Sequence, residues 1–238
     1  MANSTHKGYE KPDELQMLGF QVREAYKSAR TNIVYSLLKK GCKKIAFTST
    51  QKGEGKTVTS SNIAYALAQQ VDTKVLLIDC DLRAPKVQAV LGIEPTPGLT
   101  NYLNDECEIT DIIKTTTQPN FHAICYGAIP PNPSELLASE NMMEFVKLVE
   151  HQYDYIIFDT PPVGVVIDAI PLVKLADGVV IVAGNNQTTY PMLRKTIDTV
   201  KRANGKVLGV VINRADLSDS SKGKKYSNYS YYGYGYGY

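Results

Sequence analysis

Five side chains in this sequence have types and spacings suited to chemistry on a polyphosphate. Lys56 and Thr57 close the Gly-rich run Gly53-Glu54-Gly55-Lys56-Thr57, with Val58 next. Asp79 and Asp81 come directly after four aliphatic residues at 75–78. Asp159 ends a second apolar run at 155–158 and precedes Thr160-Pro161-Pro162. A lysine behind paired glycines can reach β- and γ-phosphates, and a threonine hydroxyl beside it can take Mg²⁺. Two carboxylates two residues apart on an extended chain point the same way. An aliphatic strand ending in Asp presents a carboxylate that holds Mg²⁺, usually through water. The combined chemistry is that of a phosphate-rich ligand and its metal ion.

These residues need elements to position them. Residues 45–49 form a short apolar run fit for a buried strand. Residues 60–71 carry Ile63, Ala64, Leu67, Ala68 and Val71 at helical spacing. Strand, Gly-rich turn, Lys-Thr and helix is the order of a P-loop. Its glycines let backbone N–H groups close on phosphate oxygens, and the helix N-terminus adds its dipole. The usual pattern has Gly where this chain has Thr50. Further strands are expected at 75–78, 121–125, 155–158, 178–183 and 206–212. Helices are expected at 18–38, stopped by Gly41, and at 99–113, 168–176 and 191–203. A rigid loop at 127–137 leads into another helix, or pair, capped by Ser134 and running to about 151. Strands alternating with helices predict an α/β fold: a doubly wound, mainly parallel sheet with helices on both faces. The acids then sit at strand C-termini, where such sheets place ligands.

The 238 residues suit one α/β domain, taken as 1–215, followed by a flexible tail at 216–238. A net charge of +2 gives no bulk argument for nucleic acid. The sequence has no apolar run of the roughly 18 residues a membrane span needs. The polar start, with no apolar segment, does not resemble a secretion signal. Cys42, Cys80, Cys107 and Cys125 show no C-x-x-C spacing and are expected as reduced thiols in a cytosolic protein. His6, His122 and His151 are scattered and suggest no metal cluster. Beyond 216 the chain has no aliphatic residue after Leu217 but carries Tyr226, Tyr229, Tyr231, Tyr232, Tyr234, Tyr236 and Tyr238. Its lysines stop at Lys225, so a basic groove for single-stranded nucleic acid is poorly supported. On the first helix Glu24, Lys27 and Arg30 stand three apart and share roughly one face, which spacing alone reads as a wet salt-bridge face.

Taken together, the motifs resemble those of the bacterial tyrosine kinases, the BY-kinase family, from about Glu24 to Tyr238. STQKGEGKT at 49–57 resembles the family's Walker A, with Lys52 where Pro is usual. VLLIDCDLR at 75–83 resembles its Walker A′, D-x-D-x-R, and IIFDTPP at 156–162 its Walker B. Glu24-x-x-Lys27-x-x-Arg30 is similar to its E-x-x-R-x-x-R motif, with Lys in the middle. The resemblance implies phosphoryl transfer from ATP to protein tyrosine, with Mg²⁺. Backbone groups of Gly53 to Thr57, with Val58 beside them, would cradle the phosphates, and Lys56 would neutralise the transferring group. Thr57, Asp81 and Asp159 would surround Mg²⁺, and Asp79 would accept the phenolic proton. Asn213 and Arg214, at the last strand's end, are candidates for the adenine pocket. The resemblance further implies autophosphorylation of the tail tyrosines and ring-like self-association through Glu24, Lys27 and Arg30. It implies a membrane adaptor, protein substrates, a cognate phosphatase and a cytoplasmic location at the inner membrane face. Capsule or exopolysaccharide production is the process implied.

Two other classes compete. ParA- and MinD-type switch ATPases share this fold and hydrolyse ATP. Their P-loop pattern puts a signature lysine where this sequence has Gln51 and Gly where it has Lys52. A nucleotide-binding scaffold that recruits partners through its tail is the third reading.

Overall fold

The computed structural model describes residues 19–215. In chain order the helices and strands are α1 (Phe20–Ser36), β1 (Lys43–Ser49), α2 (Lys56–Ala68), β2 (Val75–Asp79), α3 (Val87–Leu91), α4 (Leu99–Leu103), α5 (Ile109–Ile112), β3 (Lys114–Thr115) and β4 (Phe121–Ile124). They continue with α6 (Pro133–Leu137), α7 (Glu140–Val149), β5 (Tyr155–Asp159), a 3₁₀ turn (Ile167–Ala169), α8 (Ile170–Leu175), β6 (Gly178–Gly184), α9 (Tyr190–Arg202) and β7 (Val207–Asn213). The strands form one sheet in the order β3-β4-β2-β5-β1-β6-β7. Every pairing is parallel except the short antiparallel contact of β3 with β4. The expected doubly wound sheet is what the chain builds.

Apolar runs rather than alternating ones mark the central strands because both faces of the sheet are covered. Side chains of a strand alternate between faces, and the core divides accordingly. Ala46, Leu76, Ile78, Ile156, Phe158, Val179 and Ile181 enter one core with Phe145 of α7 and Leu172 of α8. Ile45, Phe47, Val75, Leu77, Ile157, Val180 and Val182 enter the other with Ile33 of α1 and Ile63 and Leu67 of α2. Strand register then aligns the strand ends. Asp159 of β5 pairs with Asp79 of β2 on one side and Phe47 of β1 on the other. The loops after β1, β2 and β5 therefore leave the sheet at one level.

Several local expectations are corrected. α2 begins at Lys56, not 60, because Gly55 turns the chain and the helix starts at once; it ends at Ala68, leaving Val71 87% exposed. α1 ends at Ser36, and Gly41 lies in the loop that follows. The helix expected at 99–113 is two short ones, parted where Asp105 takes a left-handed φ of 60°. Ser134 caps nothing: it lies inside α6, which follows Asn132. The serine that caps a helix is Ser139, whose hydroxyl accepts from the Met142 N–H of α7 at 3.2 Å. Among the described residues no helix is long and apolar enough to cross a membrane.

Candidate active site

The P-loop runs from Thr50 to Thr57 between β1 and α2, and two left-handed glycines bend it, Gly53 at φ 79° and Gly55 at φ 84°. A side chain at Gly55 would be strained by that φ, and its Cβ would lie 1.9 Å from Asn213 Nδ2. The same Asn213 Nδ2 donates to the Glu54 carbonyl at 3.0 Å. The Asn213 side chain thus braces the loop from the end of β7, while its neighbour Arg214 lines the cavity in front of it. Of the two residues expected at an adenine pocket, Arg214 faces the cavity and Asn213 holds the loop.

Glu54 shows a role that motif reading missed. The residue is 1% exposed, and its carboxylate gathers donors from the loop and from the end of β6. One oxygen accepts the Thr50 and Gln51 N–H groups, each at 2.8 Å. The other accepts the Gly184 N–H at 3.3 Å and the Thr188 hydroxyl. A carboxylate facing a polyphosphate would repel it, so a Glu inside such a loop has to point away; that was the available signal. Gln51 stands where the switch ATPases carry their signature lysine, and its side-chain amide donates to the Gln187 carbonyl at 3.3 Å.

A cavity of about 290 Å³ lies over the loop, lined among others by Gly53, Lys56, Thr57, Val58, Asp81 and Arg83. Beneath it the structure brings the predicted acids together around Lys56. Lys56 Nζ donates to Asp81 Oδ2 at 3.0 Å and stands 3.6 Å from Asp159 Oδ1. Burial works against the ammonium, yet Asp159 and Asp81 hold its pKa above the ordinary lysine value. Asp159 is fully buried, and neither of its oxygens closes a hydrogen bond. Burial raises its pKa against the pull of Lys56, and the hydroxyls of Thr57 and Ser60 beside it moderate the rise.

Asp79 is also fully buried, below the cavity wall. Its Oδ1 accepts the Asp81 N–H at 3.2 Å, and its Oδ2 accepts the Lys86 and Val87 N–H groups at 3.1 and 3.0 Å. Burial, then the charge of Asp159, pushes its pKa up to about 8. Backbone donors thus engage both Asp79 oxygens.

One lysine serves the carboxylates of Asp81 and Asp159 together. The chemistry of the set, an orphaned carboxylate beside a P-loop threonine, fits a divalent cation. Among the described residues no three carboxylate, imidazole or thiol groups converge as a finished cage. Mg²⁺ needs none: it keeps waters and takes only one or two carboxylates plus substrate phosphates.

Arg83 ends the D-x-D-x-R run. Here it reaches across to Asp168, donating from Nε and, at 3.2 Å, from Nη2. On α1 the expected shared face splits. Lys27 donates to Glu24 at 2.7 Å on the exposed side, whereas Arg30 donates to the Ala66 carbonyl of α2 at 3.1 Å. Residues three apart drift about 60° per step around a helix, so the third has turned toward the neighbour. Tyr226, Tyr229, Tyr231, Tyr232, Tyr234, Tyr236 and Tyr238 lie outside the described residues.

Comparison with known proteins places this geometry. Residues 42–210 match the model of the AAA domain family. Tyrosine-protein kinase YwqD of Bacillus subtilis is 38% identical over 210 residues, covering 88% of this chain and 86% of that protein. The kinase domain of Escherichia coli tyrosine kinase ETK superposes with a TM-score of 0.75 at 29% identity, over 91% of this chain and 80% of that one. The chimerical protein CapA2B2 superposes with a TM-score of 0.77 at 29% identity, over 88% of both chains.

Proposed function

The chain belongs to the bacterial tyrosine-protein kinases, and from that premise we propose that it uses ATP and Mg²⁺ to phosphorylate its own C-terminal tyrosines and those of other proteins. The observation that carries this reading is the orphaned Asp159 carboxylate beside Thr57, with Lys56 held between Asp81 and Asp159. N–H groups from Gly53 to Val58 bind the phosphates at the start of α2. Lys56 swings from the acids to the β- and γ-phosphates when nucleotide arrives, which frees Asp81 and Asp159. Thr57, Asp81 and Asp159 would hold Mg²⁺, which neutralises phosphate charge when bound. Arg214 borders the base end of the cavity.

In the transfer the bond from the γ-phosphorus to the β,γ-bridging oxygen breaks, and its electron pair leaves with ADP. The phenolic oxygen bonds to phosphorus and gives up its proton. A phenol has a pKa near 10, so a nearby carboxylate acceptor helps. Asp79, whose pKa burial and the charge of Asp159 raise, would take that proton. Gln51 leaves this P-loop without the lysine that a switch ATPase uses.

We further place the chain in the cytoplasm at the inner membrane face, bound to an adaptor that activates it and opposed by a phosphatase. It forms a ring through the α1 motif and acts in capsule or exopolysaccharide production. The test mixes Lys56→Met protein, which keeps its tail, with active protein truncated after residue 215. With labelled ATP, the tail of the Lys56→Met chain should become labelled on tyrosine. No label on that chain contradicts tail phosphorylation between copies.

A further inference from the structure

We propose that Arg83 is a catalytic residue of this kinase: its guanidinium, gripped from behind by buried Asp168, neutralises the phosphoryl group in transit from ATP to tyrosine. The inference rests on the kinase reading given above. Arg83 stands two residues beyond Asp81 and lines the same cavity as Lys56 and Thr57. Its side chain is 49% exposed, while that of Asp168 is 2% exposed. A guanidinium carries five N–H donors in a rigid fork. Asp168 takes two of them, one from Nε and one from Nη2, and no other side-chain hydrogen bond of Arg83 is found among the described residues.

The placement is specific to the phosphate end. β2 and β5 finish in register at Asp79 and Asp159. The two loops that leave these ends carry Arg83 and Asp168, so the ion pair bridges the loops directly beyond the acid cluster. Pro161 and Pro162, on the same loop as Asp168, also line the cavity. Asp81, two residues before Arg83, holds Lys56, the residue that serves the β- and γ-phosphates.

Asp168 is buried, so the pair also satisfies a carboxylate that would otherwise stand without a partner. For Arg83, which is half exposed, the pair provides orientation. Arginine is rotamer-rich and loses that freedom on binding a ligand. A fork already clamped has lost it beforehand and meets developing charge without reorganising. Lys52, Lys86 and Arg214 also line the cavity, but no ion pair or side-chain hydrogen bond found among the described residues fixes their charged groups. Besides Lys56, which Asp81 and Asp159 hold, Arg83 is the lining cation that an ion pair fixes among the described residues. During transfer the three equatorial oxygens of the phosphoryl group carry the charge, and Arg83 donates to one of them. Asp168 is its positioning residue.

The test measures kcat, KM for ATP and Mg²⁺-ADP affinity for wild type, Arg83→Ala, Arg83→Lys and Asp168→Asn, using an added tyrosine peptide. Melting temperature reports folding. Arg83→Ala should lower kcat by about 10²–10³-fold while binding Mg²⁺-ADP, which lacks the γ-phosphate, within about twofold of wild type. Millimolar guanidinium ion should restore part of that kcat and should not speed the wild type. Arg83→Lys, which keeps the charge but loses the bidentate grip, should fall between the two. Asp168→Asn should lower kcat roughly tenfold or more with KM for ATP little changed, as loss of an orienting partner does. If Arg83→Ala and Arg83→Lys both fold and turn over within about threefold of an active wild type, the proposal is wrong. It is equally overturned if the loss in kcat is matched by an equal loss of ADP affinity, because Arg83 then only shapes the pocket. A wild type that labels no tyrosine overturns the kinase reading itself, which the same assay shows separately.

Discussion

At the bottom of the site a buried lysine faces three buried carboxylates, and this arrangement is costly for the ligand-free fold. Asp159 carries the clearest part of that cost, since both its oxygens are buried without a hydrogen bond. Its pKa is raised chiefly by burial, so the sign of its contribution follows. At low pH the folded and unfolded chains both hold the proton, and there is no penalty. Once pH rises past about 4 the unfolded chain releases it first, and stability falls. Asp159→Asn should therefore abolish tyrosine phosphorylation yet raise the melting temperature of the metal- and nucleotide-free protein. A gain of about 1 kcal/mol corresponds to roughly 2–4 °C for a domain of this size, and it should be larger at pH 8 than at pH 5. Calorimetry across that range checks it; a lower melting temperature at pH 8 contradicts the assignment. Lys56, Thr57, Asp81 and Asp159 were legible because motif spacing ties each to a strand end or a helix start. The brace formed by Glu54 and Asn213 was not, because its partners lie far along the chain: Gly184 and Thr188 for Glu54, and the P-loop for Asn213.

Elements position the site through close backbone approaches as much as through side chains. Gly164, in the loop after β5, shows this. A Cβ added there would lie 2.2 Å from the Thr50 carbonyl oxygen at the base of the P-loop. Backbone cannot yield as a flexible side chain can, so the two loops must part. Gly164→Ala should weaken ATP binding about tenfold, about 1.4 kcal/mol, with the sheet intact by circular dichroism. Titration calorimetry that gives wild-type affinity would show that the loops do not need this contact. The central strands were legible because β1, β2, β5 and β6 are buried on both faces and read as apolar runs. The break between α4 and α5 was not, since polar residues at 104–108 do not interrupt helical periodicity. The turn depends instead on Asp105 adopting a left-handed φ. Ser134 and Ser139 offer the same side chain to a helix start, and the chain's path past Asn132 and Pro133 decides which one caps.

On the scale of the whole molecule, α1 lies outside residues 42–210 that match the domain family, and it carries Glu24, Lys27 and Arg30, through which we propose self-association. These three residues have distinct contacts. Glu24 and Lys27 form an exposed pair, which contributes little to the monomer and is available to a second copy. Arg30 ties α1 to the end of α2 through the Ala66 carbonyl. Changing all three to Ala should shift the protein to monomer by light scattering. Arg30→Ala alone should cost about 1 kcal/mol of stability, the worth of one hydrogen bond. An oligomer of unchanged mass in the triple variant would assign the motif to the monomer alone. The doubly wound sheet was legible from strand and helix alternation, whereas the inward turn of Arg30 needed the packing of α1 on α2. The account as a whole turns on where the γ-phosphoryl group goes. Wild-type and Asp159→Asn proteins should be incubated with γ-labelled ATP and Mg²⁺, and label on tyrosine and in free phosphate measured in the same sample. The account predicts label on tyrosine in the wild type, far above any free phosphate, and none in Asp159→Asn. Label released from the wild type as free phosphate alone, with unlabelled tyrosine, would contradict it.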